Sequence, residues 1–358
     1  MKKIYFIIVS ADTPHGPVKG AYALANSLSD NGRNVTLVIV KKGTGANAHL
    51  NNSVKKICLA DHVSGYFNKL SFYQKILVQA GNRNKIVSIS MCFSADAINI
   101  HCRKFAKTCS SVRGNLIQNY RLDYRVLGFL FAFMHLLMLR FFDEGVVMTK
   151  PMALQVKRYI GKQPNIIGNF VDEKPLAFRN KTYNITSKPR FVFVGTLSKR
   201  KRPALLLDAI KILHGYSLDF HLHLVGDGPL RPYIESKIIK DNLSNNVTLH
   251  GFIKSPFKII TSSDVMVLPS LSEGASRAVM EALYLGVPCV VANIDGNSEL
   301  IEEGFNGALF SEIADLPGAM LRALDISRSL GPIRPILLSK KNRQISAVSL
   351  FIDLLESV

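Results

Sequence analysis

Two glutamates with seven residues between them, Glu273 and Glu281, are the side chains in this sequence best spaced for shared work on one ligand. They straddle a strand-to-helix transition in PSLSEGASRAVMEALYLGVPCVVAN, with Glu273 in the turn and Glu281 on the helix. If the whole interval were helical it would span about 12 Å, too far for both carboxylates to serve one proton-transfer centre. They are therefore expected to touch different parts of one extended ligand. Between them Gly274, Ala275 and Ser276 place unpaired backbone N–H groups at a helix N-terminus, where donors and helix dipole together stabilise a pyrophosphate. A nucleotide-diphospho-sugar has that length and that charge.

Further residues of the same kind are spread along the C-terminal half. Gly195 and Thr196 end an apolar run and lead into Arg200 and Lys201, and Gly226, Asp227 and Gly228 close the next run in LVGDGP. A G-x-G by itself is a weak signal. After the glutamate pair come a Gly-x-Pro turn (Gly286, Pro288), a further glycine (Gly296) and a G-x-N-G turn (Gly304, Asn306, Gly307). This ordered set resembles the family-4 retaining glycosyltransferases of GT-B fold, the glycosyl transferases group 1 of bacterial surface-polysaccharide type, and the resemblance covers most of the chain.

The resemblance implies roles for individual residues. Glu273 would orient and polarise the donor sugar, Glu281 would hold the ribose diol, and Lys201 with the Gly274–Ser276 amides would stabilise the departing diphosphate. Gly226 and Gly228 match a turn beside the donor pocket, and His250 to Phe252 stand where relatives hold the nucleobase through backbone contacts. Gly16 matches the second glycine of the family's Gly-Gly loop, with His15 in place of the first. Asn169 in IIGNFVD matches a turn ahead of the interdomain linker.

There are two departures. Thr196 replaces an arginine that makes a second phosphate contact, which leaves Arg200 or Arg202 as candidate substitutes. Arg113 takes the place of a histidine before Gly114, so either a cationic contact to donor or acceptor or a structural arginine is expected there. The implied reaction retains anomeric configuration, with the leaving diphosphate assisting proton removal from the acceptor.

The elements that must position these residues read as α/β. Apolar β-rich runs alternate with helical segments from Ile4 through Val40 and again from Phe191 through Ala292, which implies two doubly wound, Rossmann-like domains with parallel sheets, facing across a cleft. The expected division is an acceptor-binding domain over 1–175, a polar linker from Asp172 to Pro189, and a nucleotide-sugar-binding domain over 189–340. A helix over 341–358 is expected to pack back toward the first domain. The start, MKKIYFIIVSAD, imitates a signal peptide, but Asp12 comes too early and the run reads as a buried strand. The segment Val126–Phe142 is strongly apolar yet interrupted by His135 and Arg140, which suits a buried or surface-seated helix better than a membrane span.

Over 358 residues, 45 Lys and Arg against 26 Asp and Glu leave a net charge of +19, and 27 basic against 9 acidic residues lie at or before Lys188. The excess therefore belongs to the first half, where an anionic membrane surface or a lipid-linked pyrophosphate accounts for it better than the nucleotide does. The resulting expectation is a cytoplasmic protein, peripheral at the inner face of the membrane, acting on a glycan or lipid-linked acceptor. Its donor would be UDP- or GDP-linked. No Asp-x-Asp and no His/Cys cluster of ligand spacing occurs, so no metal is expected. The five cysteines lack paired close spacing and read as reduced thiols. A nucleotide-sugar epimerase or phosphorylase of the same fold is the alternative, and a basic nucleic-acid-binding protein the remote one. The latter lacks aromatic-interleaved basic strands, so no nucleic acid is expected.

Overall fold

The computed structural model describes residues 1–10, 16–43, 50–176, 183, 188–215 and 219–357. His15 and most of the polar stretch after Leu176 lie outside them. The chain divides into two compact units, Met1–Phe170 with Gln344–Val358, and Val171–Arg343.

In the first unit the elements are β1 (Lys3–Ile8), α1 (Gly16–Asp30), β2 (Asn34–Ile39), β3 (Lys55–Cys58), α2 (Tyr66–Ala80), β4 (Ile86–Ser90), α3 (Phe93–Asn99), β5 (Lys107–Val112), α4 (Leu116–Tyr124), α5 (Leu127–Leu139), β6 (Glu144–Val147), α6 (Lys150–Ile160) and β7 (Asn165–Ile166). The strands form one parallel sheet in the order β3-β2-β1-β4-β5-β6-β7. Because both faces are covered, β1 is apolar throughout instead of alternating. Its residues Ile4, Phe6 and Ile8 pack with Leu24 and Leu28 of α1, while Tyr5 and Ile7 pack with Tyr73 and Leu77 of α2.

The second unit contains β8 (Arg190–Val194), α7 (Pro203–Gly215), β9 (His221–Val225), α8 (Arg231–Lys240), β10 (Val247–Gly251), α9 (Phe257–Thr261), β11 (Val265–Leu268), α10 (Arg277–Tyr284), β12 (Cys289–Ala292), α11 (Asp295–Ser298), β13 (Gly307–Phe310) and α12 (Leu316–Ser329). Its parallel sheet runs β10-β9-β8-β11-β12-β13. The last helix, α13 (Gln344–Ser357), belongs to the first unit, where Phe351 and Leu355 join the core beside α1.

The stretch read as a linker is grouped with the second unit from Val171 onward. Val171 and Leu176 are buried in its core, and the Tyr183 hydroxyl donates to Asp264, which also accepts from the Arg190 backbone N–H at 2.7 Å. Glu173 and Arg343 form a two-pronged ion pair at 2.6 Å that ties the two ends of this unit together.

His135 interrupts the apolar run of α5 for a structural reason. Its buried ring lies 2.8 Å from Asp96 Oδ2 through Nε2, and with Nε2–H donated there, Nδ1 accepts from the Tyr120 hydroxyl at 3.0 Å. Asp96 also accepts from Ser90 and Ser110 on β4 and β5. One polar chain thus fastens α4 and α5 to the sheet. No described helix is long and apolar enough to cross a membrane.

Candidate active site

The order of the second sheet reverses between β8 and β11, and a doubly wound sheet holds its ligand outside the carboxyl ends of the strands at such a point. Lys201 comes from the loop after β8 and Glu273 from the loop after β11. Their side chains meet there, Nζ to Oε1, at 2.5 Å, with only 12% and 9% of each exposed. Local backbone bonds set this meeting. Leu197 N–H donates to Asp227 O and Leu271 N–H to Arg200 O, so the loops after β8, β9 and β11 are stitched side by side.

Two glycines permit the close approach of these loops. A Cβ on Gly226, whose φ is +141°, would lie 1.9 Å from the Gly195 carbonyl oxygen, and one on Gly296 would lie 1.4 Å from that of Gly274. Gly228 is similarly close to Leu197. Gly195 has room for a Cβ, with the Lys201 stem about 3.7 Å away.

The helix N-terminus between the glutamates is α10. Ser276 is its N-cap, its own side chain makes no capping hydrogen bond, and no acid lies in the first turn. Ser276 N–H instead meets Asn297 Oδ1 of α11 at 3.4 Å, and Gly274, Ala275 and Ser276 are all buried. Glu281 is one turn further along α10, 14% exposed, with Arg277 Nε 3.9 Å away. Phe252, just beyond β10, is 58% exposed. The structure therefore gathers Gly195, Lys201, Gly226, Gly228, Glu273 and Gly274–Ser276 on the loops at one end of one sheet, with Glu281 on the helix that follows. Thr196 is in the same group, its methyl 2.9 Å from where a Gly228 Cβ would stand.

Arg200 donates from Nη1 to the carbonyl of Ser272, the residue before Glu273, at 3.3 Å, and burial lowers the pKa of Arg202, whose φ is +53°. In the first unit Gly16 opens α1, and Arg113 follows β5 with its guanidinium donating to Asn169 Oδ1 at 2.9 Å.

Residues 188–325 match the family model described as "Glycosyl transferases group 1". Residues 188–325 form a glycosyl transferases group 1 domain. Over 140 residues the chain is 36% identical to the Escherichia coli UDP-Gal:alpha-D-GlcNAc-diphosphoundecaprenol alpha-1,3-galactosyltransferase, covering 38% of this chain and 36% of that protein. The chain thus spans little more than a third of that relative's length. Over the whole chain the fold is that of GT-B transferases. The solved complex of a Staphylococcus aureus TarM variant with fondaparinux, alpha-GlcNAc-glycerol and UDP superposes with a TM-score of 0.79 at 13% identity, covering 99% of this chain and 100% of that one. Anabaena HepE with UDP and glucose superposes with a TM-score of 0.76 at 17% identity over 100% of both chains. None of these is named as an epimerase or a phosphorylase, the alternative the sequence left open.

Three residues of the group 1 domain were not singled out from sequence. Among the described residues, Arg277 Nε and Nη1, Asn297 Nδ2 and Ser270 Oγ are buried with no hydrogen-bond partner. Only Arg277 carried a local signal, being a cation at the first position of a helix and four residues before Glu281.

Proposed function

We propose that this protein is a metal-independent, retaining hexosyltransferase that moves a sugar from a UDP- or GDP-linked donor to a lipid-linked glycan acceptor in polysaccharide or lipopolysaccharide biosynthesis. The observation that carries this reading is the mostly buried Lys201–Glu273 pair at the sheet's switch point, with Glu273 three residues before the N-cap of α10. A cation close in the chain fold to a helix N-terminus favours a departing diphosphate more than a bound ester, and that difference lowers a barrier. Glu273 holds Lys201 in position and polarises the sugar, and Glu281 anchors the ribose.

The acceptor belongs to the first unit on this reading, with the cytoplasmic face of an anionic membrane as the place of work and no nucleic-acid partner. The first unit carries 23 basic and 9 acidic residues against 22 and 17 in the second, so about three-quarters of the excess charge lies with it. It also exposes Val126, Leu127, Phe129, Leu130, Phe133 and Phe141 along α5 and its flanks. The Escherichia coli relative's named acceptor is a lipid diphosphate, which makes that chemistry the first to try.

The test is transfer from a panel of UDP- and GDP-sugars to polyprenyl-diphosphate-linked acceptors with chelator present. Lys201→Ala should lower kcat about 100-fold or more, while Glu281→Ala should raise donor KM about tenfold with a smaller change in kcat. Unchanged kinetics in both variants would refute the assignment. Loss of transfer on chelation would refute metal independence, and an inverted anomer in the product would refute retention.

A further inference from the structure

We infer that the α4–α5 hairpin is the element by which this chain sits in an anionic bilayer, with the outer side of α5 laid along the interface beside the carboxyl end of the first sheet. This rests on the reading of the first unit as the membrane-facing, acceptor side, and it assigns that role to one element.

The polarity of α5 is inverted. A helix on a water-facing surface turns its apolar stripe inward and its polar residues outward. In α5 the one polar side chain, His135, is buried against Asp96, and Gly128, Ala132, Leu136 and Leu139 are buried with it. Every exposed residue of the helix is Leu, Phe or Met, and Leu127, Phe129, Leu130 and Phe133 are between 48% and 62% exposed. The hydrogen-bonded chain from Ser90 and Ser110 through Asp96 and His135 to Tyr120 fixes this orientation, so the apolar face cannot roll inward. A contiguous exposed apolar face of this kind marks an interaction site.

The hairpin also stands at a particular end of the unit. Helix α3 begins at the carboxyl end of β4, and its Phe93 and Asp96 meet His135 by ring edge and by hydrogen bond. The middle of α5 is therefore level with the strand ends, and the chain runs on from there toward the start of β6. The half before His135, Leu127–Met134, projects past the strand ends by up to about 12 Å at the rise of a helix. In a parallel α/β sheet that end is where ligands are held.

Charge selects the occupant. Arg121, Arg125 and Arg140 are exposed around the apolar face, as are Lys157 and Arg158 on α6, which packs beside α5 through Met152 and Val156. Asp123 is the one acid from Leu116 to Phe142. An apolar face rimmed by cations suits acyl chains under anionic headgroups. A second copy would set the arginines against their own counterparts with Asp123 alone to answer them. A soluble polyanion would leave the apolar residues in water.

The chain contains no tryptophan, so a single introduced one reports without background. Phe129→Trp and Phe133→Trp put it on the outer side of α5, and Tyr233→Trp puts it at an exposed position of α8 in the second unit. With vesicles containing about 30% phosphatidylglycerol at low salt, emission from both α5 reporters should move to shorter wavelength and be quenched by acyl-chain bromine. The α8 reporter should emit as it does in buffer. Adding Arg121→Glu and Arg125→Glu to Phe133→Trp should raise the lipid concentration for half response about tenfold or more. Two silent α5 reporters overturn the inference. A shift that needs no lipid and grows with protein concentration overturns it in favour of a second copy, and an equal response to neutral phosphatidylcholine vesicles overturns the anionic occupant. UDP affinity, measured by calorimetry on the same variants, separates this from the donor site. Silent reporters in a chain that binds UDP refute the bilayer seat alone, and responding reporters in a chain that does not bind UDP refute the donor reading alone.

Discussion

At Glu273 two demands meet, because the carboxylate that must face a sugar also neutralises the cation meant for its leaving group. In the free chain Lys201 is held by Glu273 in a pair that is mostly buried, and removing one partner from such a pair leaves the other uncompensated. Glu273→Gln keeps the shape and takes away the charge. Turnover should then fall about 100-fold, as for loss of a polarising group, while the diphosphate product, relieved of a neighbouring anion, should inhibit more strongly. Product-inhibition constants measured beside kcat check both signs. Equal weakening of product binding and turnover would mean that Glu273 acts on the nucleotide and not on the sugar. Most of these residues were legible as types and spacings in the sequence. Their pairing was not, since Lys201 and Glu273 stand 72 positions apart in sequence and only strand order brings them together.

At the level of elements, the edge of the second sheet carries a histidine ladder. His221 and His223 share one face of β9 by the two-residue period of a strand, and His250 on β10 completes the row, with His223 Nδ1 3.1 Å from His250 Nε2. Burial, with the neighbouring His221 and His250 charges, holds the His223 pKa down to about 4, and burial also lowers those of His221 and His250. Each folded-state value lies below the unfolded one of about 6.5, so the unfolded chain binds more protons between the two. The ladder's contribution is complete above about pH 6.5 and is lost as pH falls toward 4. The drop in Tm between pH 6.5 and 4.5 should therefore be smaller in His223→Gln than in the unaltered chain. Equal drops would show that the ladder does not set the acid limit. The sequence places the three histidines on strands, but only the parallel register of β9 and β10 stacks them.

For the molecule as a whole, the informative contrast is between the two units. The first has the larger charge excess and the exposed apolar side chains of α5, with Arg121, Arg125 and Arg140 on the same hairpin. Residues of this kind bind an anionic interface through apolar burial plus attraction to the headgroups, and the second term is screened by salt. The full chain should therefore sediment with vesicles containing about 30% phosphatidylglycerol at low salt. It should dissociate as salt rises, and do so earlier in Phe129→Ser/Phe133→Ser, while UDP binding stays unchanged. Indifference to anionic vesicles at low salt would leave the charge as a solvated face, and a dimer lost with the same substitutions would mean that a second copy covers α5.

By itself the sequence determined the two parallel sheets, the glutamate pair around a helix start, and the side on which the positive charge accumulates. These follow from periods of two and 3.6 residues, from glycines that only tight turns demand, and from counting, all of which act over short distances along the chain. Tertiary structure alone decided that Lys201 meets Glu273, that Arg200 bonds the Ser272 carbonyl, and that His135 anchors α5 through Asp96. Each of these depends on which strands become neighbours, and the free energy that selects a strand order is spread over a whole core, with no short segment carrying it.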